Sequence, residues 1–242
     1  MSFNYVKLDL PSLCVPYPEL KGKLSIRTFT GADEEIITTA PEEKALDAVL
    51  EVLQSTVQGL DDISNLTGGD LMYIILWQAI NSYQPEYRVC ITCRDCQTYY
   101  EPMIDLNDIN VVTLEKGLYE DVKLTLPISE KTISVRPPRL SDEYAPIMAV
   151  LGKEVNSNEY DLINRLTNWE EVEPQSKVLK EFESRNLPVK DIRYIEKAIG
   201  EFEHGPDMKF THVCPNEECK LTEVSTLPFR LGASIAISRK SE

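Results

Sequence analysis

The 242-residue sequence predicts an α+β protein in which β-hairpins, joined by a four-cysteine site, pack with a predominantly helical remainder. The hairpin prediction depends on "YRVCITCRDCQTYYEPMIDL" at 87–106 and "FTHVCPNEECKLTEVSTLPF" at 210–229. Each places β-forming residues on both sides of a polar turn that contains cysteines. The helix prediction depends on apolar residues that recur at helical spacing between and before these stretches.

The stretch 1–110 is expected to form an N-terminal α/β part that includes the first cysteine turn. "GKLSIRTF" at 22–29 is typical of a strand. "TGADEEII" follows it, and there Thr30 or Asp33 can cap a helix whose acidic first turn suits the helix dipole.

Two longer helices are predicted before the first cysteine turn. The stretch 41–57 carries apolar residues on one face at helical spacing. The stretch 70–82 is apolar on most sides, so it is predicted to be the central helix of the core, with Asp70 as its cap.

The part from 111 to 242 is expected to hold a second β-hairpin, a helical segment over 141–204 and the second cysteine turn. The metal site is expected to join 1–110 and 111–242 into one structural unit, and an apolar strand after 229 is expected to close the chain. Four helical patterns make up the helical segment, at 141–155, 158–169, 174–186 and 188–204.

Two stretches of the chain echo each other. "LDLPSLCVPYPELKGKLSIRTFTGADEEII" begins at Leu8, and "LTLPISEKTISVRPPRLSDEYAPI" begins at Leu124. The echo indicates a duplicated ββα unit or chance, because hairpins and helix caps use the same residue types everywhere. Three sets of residues correspond: Leu10 with Leu126, Arg27 with Arg136, and Asp33–Glu34 with Asp142–Glu143.

Four of the six cysteines are predicted to bind one zinc ion: Cys93, Cys96, Cys214 and Cys219. Zinc favours four soft ligands in a tetrahedron, supplied as two pairs that each lie on a tight turn. For the first pair, Cys90 with Cys93 is the alternative, but it would place the strand-forming residues "IT" in the turn, whereas "RD" separates Cys93 from Cys96.

The predicted zinc is structural, because four thiolates leave no open position for water. His204 and His212 lie near the second turn and are the substitute ligands to consider. A redox dithiol is the other interpretation of a CxxC motif, but such thiols lie at helix N-termini, and this motif lies between strand-forming stretches. Zinc ligands or thiols rather than disulfides are also what a reducing compartment favours.

Charge and missing motifs narrow the function classes. The formal net charge is −15, from 40 acidic and 25 basic residues, which disfavours nucleic acid and anionic membranes as partners. The longest apolar stretch, 71–80, is about half as long as a membrane span requires. Because no phosphate-binding loop, nucleophile elbow or catalytic group of residues can be assembled, we expect no enzyme activity and no small-molecule substrate. Other proteins are the expected partners.

The order of several short motifs resembles the baseplate hub and hub-assembly proteins of contractile-tailed, T-even-like bacteriophages, over residues 8–145. Cys90 and Cys14 depart from the family pattern, which has a glycine suited to the turn near Cys14. The motifs that carry the resemblance are "LDLPSLCVPYPE" at 8–19, "KLSIRTFTGADEEII" at 23–37, "LTGGDLMYIILWQAINSYQPEY" at 66–87, the Cys93–Cys96 turn, and "IDL" at 104–106.

The resemblance implies a non-catalytic protein that helps to build the hub of a phage tail baseplate, as a component or as an assembly factor. Its partners would be other baseplate and tail proteins, and it would be found in the virion or in the infected host cytoplasm during assembly. The alternative is a zinc-ribbon module that binds nucleic acid or transcription machinery. Basic residues flank both cysteine turns, but an equal number of acidic ones accompanies them: Arg88, Arg94, Lys209 and Lys220 beside Asp95, Glu101, Glu217 and Glu218.

Overall fold

A computed structural model describes residues 3–14, 16, 17, 20, 24–114, 122–142, 167–169 and 185–227. Four helices lie in these ranges: α1 (Gly31–Thr39), α2 (Ala45–Thr56), α3 (Gly68–Gln78) and α4 (Val189–Gly200). The strands are β1 (Val6–Lys7), β2 (Ser25–Ile26), β3 (Val57–Gln58), β4 (Glu86–Arg88), β5 (Ile91–Thr92), β6 (Tyr99–Tyr100), β7 (Met103–Asp105), β8 (Val111–Val112), β9 (Val122–Thr125), β10 (Thr132–Val135), β11 (Thr167–Trp169), β12 (Gly205–Pro206), β13 (Lys209–Val213) and β14 (Thr222–Thr226).

The N-terminal part is a three-stranded antiparallel sheet, in the order β1-β2-β3, with α1 and α2 inserted between β2 and β3. Thr30 caps α1 and forms a capping box with Asp33, since each side chain accepts from the other residue's backbone N–H. The loop after β1 places Leu13 and Cys14 in the left-handed region, at φ 56° and 59°. Glycine adopts that backbone most easily, which explains why a glycine would suit this turn.

Helix α3 is the core helix that the sequence predicts, but it begins two residues earlier than Asp70. Thr67 caps it, and Asp70 is its third residue, fully buried. After Gln78 the chain continues through a π-helical turn over Ala79–Tyr83. The Gln78 amide donates to the carbonyl of Arg27, 2.9 Å away, which ties α3 to the end of β2.

The second sheet has the order β9-β10-β11 and is antiparallel throughout. Residues 167–169 were expected to end a helix over 158–169, and that expectation is wrong, because they form β11 and pair with β10. The helix predicted over 188–204 is present as α4, which ends at Gly200. The helical patterns at 141–155 and 174–186 lie almost wholly outside the described residues, as do 158–166 and the expected strand after 229.

Two hydrophobic clusters form the described core. The larger one contains the first sheet, α2, α3 and residues from both cysteine hairpins, including Val89 and Leu227. The smaller one lies between the second sheet and α4, with Ile133 and Ile195 fully buried. This mixed α+β architecture with small antiparallel hairpins confirms the predicted fold class.

Segments from the second half of the chain pack against the start of α3. Strand β12 pairs with β8, and the Leu140 N–H donates to the Leu66 carbonyl at 2.8 Å. The backbones of Gly69 and Gly205 touch: a Cβ on Gly69 would lie 2.2 Å from the carbonyl oxygen of His204. None of the helices in the described part of the chain has the length and apolar character needed to span a membrane.

Candidate metal centre

The first cysteine hairpin runs from β4 to β7. Strands β4 and β7 pair at its base, and β5 and β6 pair near its tip. The tip closes because the Cys93 N–H donates to the Thr98 carbonyl at 2.9 Å and the Gln97 N–H donates to the Cys93 carbonyl at 3.0 Å. Gln97 lies in the left-handed region at φ 59°, and the resulting turn holds both cysteines on one side.

The second cysteine hairpin is formed by β13 and β14, which pair in continuous antiparallel register. The Cys214 N–H donates to the Leu221 carbonyl at 2.9 Å, and the N–H groups of Cys219 and Lys220 both donate to the Asn216 carbonyl at 3.0 Å. Lys220 takes the left-handed conformation here, at φ 51°. The four residues between the cysteines therefore form a compact turn, as the sequence predicts.

The two turns bring the four predicted cysteines together. Sγ of Cys93 lies 3.8 Å from Sγ of Cys219, and Sγ of Cys96 lies 3.5 Å from Sγ of Cys214. All four sulfur atoms lie within 4.8 Å of one another. Four sulfurs around one tetrahedral zinc, each at about 2.3 Å, would be separated by about 3.8 Å, so the arrangement has the size that zinc requires.

Burial divides the four cysteines into two kinds. Cys93 and Cys214 are buried, whereas Cys96 and Cys219 are half-buried. Cys90, the alternative ligand, is exposed and outside the cluster. The structure therefore groups the pair separated by "RD", as preferred from the turn chemistry.

The thiols of Cys96, Cys214 and Cys219 have unequal pKa values. Hydrogen bonds from the hydroxyl and the backbone N–H of Thr98 lower the pKa of Cys96 to about 6. The backbone N–H of Leu221 favours the thiolate of Cys219, but burial and the neighbouring thiols outweigh it and raise the pKa to about 12. Burial also raises the pKa of Cys214. Four thiolates at this separation repel one another, so they can all be ionised only when a cation lies between them.

Neither histidine is a ligand in this arrangement. His212 is buried, with Nδ1 2.7 Å from the hydroxyl of Tyr100 and Nε2 2.8 Å from that of Ser225, so both ring nitrogens have partners. His204 lies beside the start of α3, where its Nε2 is 2.7 Å from Oγ1 of Thr67. The histidines instead join the second half of the chain to the first.

The sequence reasoning missed the residues around the sulfurs. Oγ1 of Thr98 lies 3.1 Å from Sγ of Cys96, and a carboxylate oxygen of Asp95 lies 3.6 Å from Sγ of Cys219. The Asn216 amide donates to the same Thr98 hydroxyl at 3.5 Å. The available signal was a set of small polar residues within two positions of the cysteines, since such side chains orient metal ligands.

The sequence profile of the T4 bacteriophage base plate protein family matches residues 11–228, which include both cysteine turns. The chain belongs to this family. No curated protein and no solved structure gives a significant match. Family membership gives this baseplate protein a structural role in the phage tail, in contact with other tail proteins, and places it among proteins that are typically non-catalytic.

Proposed function

We propose that this baseplate protein acts in the central hub of the tail baseplate, as a hub component or as a hub-assembly factor, and that a structural zinc ion bound by Cys93, Cys96, Cys214 and Cys219 stabilises it. It works by protein–protein contacts. In this proposal the zinc joins the parts before and after residue 110 into one structural unit.

The sulfur geometry supports the zinc. The sulfur atoms of four thiols lie within 4.8 Å of one another although their turns are far apart in the chain, with Cys214 118 positions after Cys96. They come from two hairpins of the kind that builds zinc ribbons. A site of four thiolates has no open position, which suits a structural and not a catalytic ion.

Metal analysis of the purified, folded protein tests the zinc. We expect one zinc per chain in the wild type and in Cys90→Ser, because Cys90 lies three residues from Cys93 but outside the cluster. Cys93→Ser should lose the ion and unfold both hairpins. Folded wild-type protein with much less than one zinc per chain would contradict the proposal.

The hub role is supported by the motifs over residues 8–145, which resemble those of hub proteins in their order. An acidic chain, with a net charge of −15, can also be steered toward basic surfaces of partner proteins.

Contacts around the cysteine turns weigh against nucleic-acid binding, which is the alternative function. Arg94 pairs with Glu223 at 2.8 Å, and Arg88 pairs with Glu101 at 3.4 Å. Cations that are already neutralised by carboxylates contribute little to phosphate binding.

Quantitative mass spectrometry of purified virions beside infected-cell lysate tests the hub role. A fixed, low copy number in virions, with cross-links to hub proteins, identifies a hub component. Presence in the lysate and absence from virions, together with hubs that fail to assemble when the gene is inactivated, identifies an assembly factor. Cross-links only to proteins outside the hub, with normal hubs in the absence of the gene, would overturn both forms of the proposal.

A further inference from the structure

Two parts of the chain each form a three-stranded antiparallel sheet, and the two sheets have the same strand order. In the first, β2 is the middle strand between β1 and β3; in the second, β10 is the middle strand between β9 and β11. Residue Ile26 at the end of β2 corresponds in register to Val135 at the end of β10, because they face Val6 and Val122 on the preceding strands.

An arginine follows the middle strand of the first sheet and closes a specific set of hydrogen bonds. Arg27 donates to both carboxylate oxygens of Asp33, at 2.6 and 3.2 Å, and to the carbonyl of Thr28 at 3.0 Å. The N–H of Thr30 donates to the same carboxylate at 2.7 Å. We call this set the arginine–aspartate clasp.

The second sheet carries the same clasp at the same spacing. Arg136 donates to both carboxylate oxygens of Asp142, each at 2.7 Å, and to the carbonyl of Pro137 at 3.1 Å. The N–H of Arg139 donates to that carboxylate at 2.8 Å. In both clasps the arginine donates to the carbonyl of the next residue and to the carboxylate six residues on, and the N–H three residues after the arginine donates to that same carboxylate.

In each half of the chain, a buried aspartate on a later helix holds the loop that follows the first strand of the sheet. Asp70 is the third residue of α3 and accepts from the N–H of Ser12 at 3.0 Å. Asp191 is the third residue of α4 and accepts from the N–H groups of Ile128 and Ser129, both at 2.9 Å. Both aspartates are fully buried. Ser12 and Ile128 each lie two residues after a leucine of the sequence echo, Leu10 or Leu126.

The cysteine turns continue the same register. Cys93 follows Asp70 at the same interval along the chain at which Cys214 follows Asp191. The sulfur contacts cross between the turns: the first cysteine of each turn lies against the second cysteine of the other. This reciprocal pattern is the one that two copies of a motif make across a two-fold axis.

We infer that the chain is a tandem duplication of one unit, unit A over residues 6–98 and unit B over residues 122–221. The four-cysteine centre is then the place where the corresponding cysteine turns of the two units, with two and four residues between their cysteines, meet in a local two-fold arrangement. The evidence for the duplication is the strand order, the matching hydrogen bonds and the equal intervals along the chain, whereas the ion at the centre rests on the proposed zinc. Hairpin and cap chemistry explains the local resemblances. It does not explain why two buried aspartates, 58 and 63 residues from their partners, make matching contacts.

The arrangement is two-fold at the cysteines but not throughout. The hairpin that carries the cysteine turn of unit B packs on the core of unit A, since Met208 and Phe210 pack against the larger cluster and not against the cluster around α4. An ion bound by both turns therefore attaches the end of unit B to unit A. Each unit supplies half of the ligands, and neither supplies a complete site.

An experimental structure of the full, zinc-loaded chain tests the duplication. We expect the sheet, the clasp, the helix and the cysteine turn of unit A to superpose on those of unit B as sets, and the two cysteine turns to be exchanged by a rotation close to two-fold through the ion. Turns related by any other rotation, or helices that do not follow their sheets in the superposition, would overturn the inference. Matching units in a protein that binds no zinc would contradict only the proposed zinc.

Hydrogen exchange on the full chain tests the attachment. Removal of the ion with a chelator should accelerate exchange in both hairpins, on the order of tenfold or more, and leave β9, β10 and α4 protected. Cys93→Ser and Cys214→Ser, which change equivalent ligands, should give the same pattern as the chelator. Acceleration confined to one hairpin would show that the centre does not join the two units.

Discussion

Helices α3 and α4 begin in the same way and are used in opposite ways. Each has a fully buried aspartate as its third residue, holding the loop after a strand. Beyond that point α3 is buried on almost every side, whereas α4 is buried along one face only. The positions of Ile75 and Leu76 on α3 are taken by Glu196 and Lys197 on α4.

The difference teaches that local hydrogen bonds determine where a helix starts, while the elements packed around the helix determine which of its faces must carry apolar side chains. Helix α3 is enclosed by the first sheet, both hairpins and β12. Helix α4 covers one face of the second sheet, and its other face reaches solvent. Equivalent substitutions in the two helices therefore test the comparison directly.

The largest difference is expected for a charge exchange at the position of Leu76 and Lys197. Leu76→Lys should lower the free energy of unfolding by about 4 kcal/mol, because it buries an unpaired charge. Lys197→Leu should change it by less than about 0.5 kcal/mol, because the side chain is exposed. Urea unfolding measures both. Similar losses in the two variants would show that the helices are not used differently.

The second difference concerns the second residue of each helix, Gly69 or Lys190. Gly69→Ala should lower the free energy of unfolding by about 2 kcal/mol, because the added Cβ would meet the backbone of His204 at 2.2 Å. Lys190→Ala should have almost no effect, since that position is exposed.

Gly31→Ala is the matched glycine control, because nothing lies within 4 Å of its added Cβ. In thermal unfolding, Gly69→Ala should have a clearly lower melting temperature than Lys190→Ala and Gly31→Ala. An unchanged melting temperature for Gly69→Ala would mean that β12 does not pack against α3.

Substitution of the buried aspartates, Asp70 and Asp191, should lower the free energy of unfolding by smaller and unequal amounts. Asp191→Asn should cost about 1.5 kcal/mol, since both carboxylate oxygens accept backbone N–H groups and an amide can replace only one acceptor. Asp70→Asn should cost about 1 kcal/mol, because one oxygen accepts from Ser12 and the amide oxygen can keep that bond.

Local hydrogen exchange separates these two aspartate variants. The amides of Ile128 and Ser129 should exchange faster only in Asp191→Asn, and that of Ser12 only in Asp70→Asn. Acceleration at the wrong loop would contradict the equivalence of the two contacts.

The smallest expected effect is a pH dependence of stability, which the contact of Asp70 on α3 should produce and that of Asp191 on α4 should not. Burial lowers the pKa of His204, but the hydrogen bond and charge of Asp70, 3.6 Å away, outweigh it and raise the pKa above its usual 6.5. Protonated His204 therefore stabilises the folded state fully below pH 6.5, and this contribution is lost as the pH rises through the folded-state pKa.

Unfolding of zinc-loaded protein between pH 6 and pH 9 measures this loss against His204→Gln. The wild type should lose more stability than the variant as the pH rises, and Asp70→Asn should remove most of the difference. A larger loss in His204→Gln would reverse the sign and contradict the Asp70 contact.

Local chemistry in the sequence predicted a large share of the molecule. Turn-forming residues between the cysteines singled out Cys93, Cys96, Cys214 and Cys219, whose sulfur atoms lie together, because a turn is decided by residues that are adjacent in sequence. That these cysteines bind a metal stays a prediction. The unbroken apolar character of 71–77 identified α3 as the core helix for the same reason.

Long-range pairing was outside the reach of such reasoning. The stretch Thr167–Trp169 has a helical pattern, yet it pairs with β10, since a neighbouring strand can override local preference. His204 carries no sequence signal for its contact with Thr67, which is 137 residues away. Asp70 was predicted to be a cap, whereas it holds a distant loop and Thr67 is the cap.

The separation of Cys93 from Cys219 by 126 residues has a consequence for synthesis. At about 5–20 residues per second, a ribosome needs roughly 6–25 s to make the intervening chain. Throughout that interval the first turn is complete but has only two sulfur ligands. The four sulfur atoms can meet only after the second turn has been translated. In the proposed zinc site, a nascent or truncated product that lacks the second turn therefore cannot offer the ion four sulfur ligands.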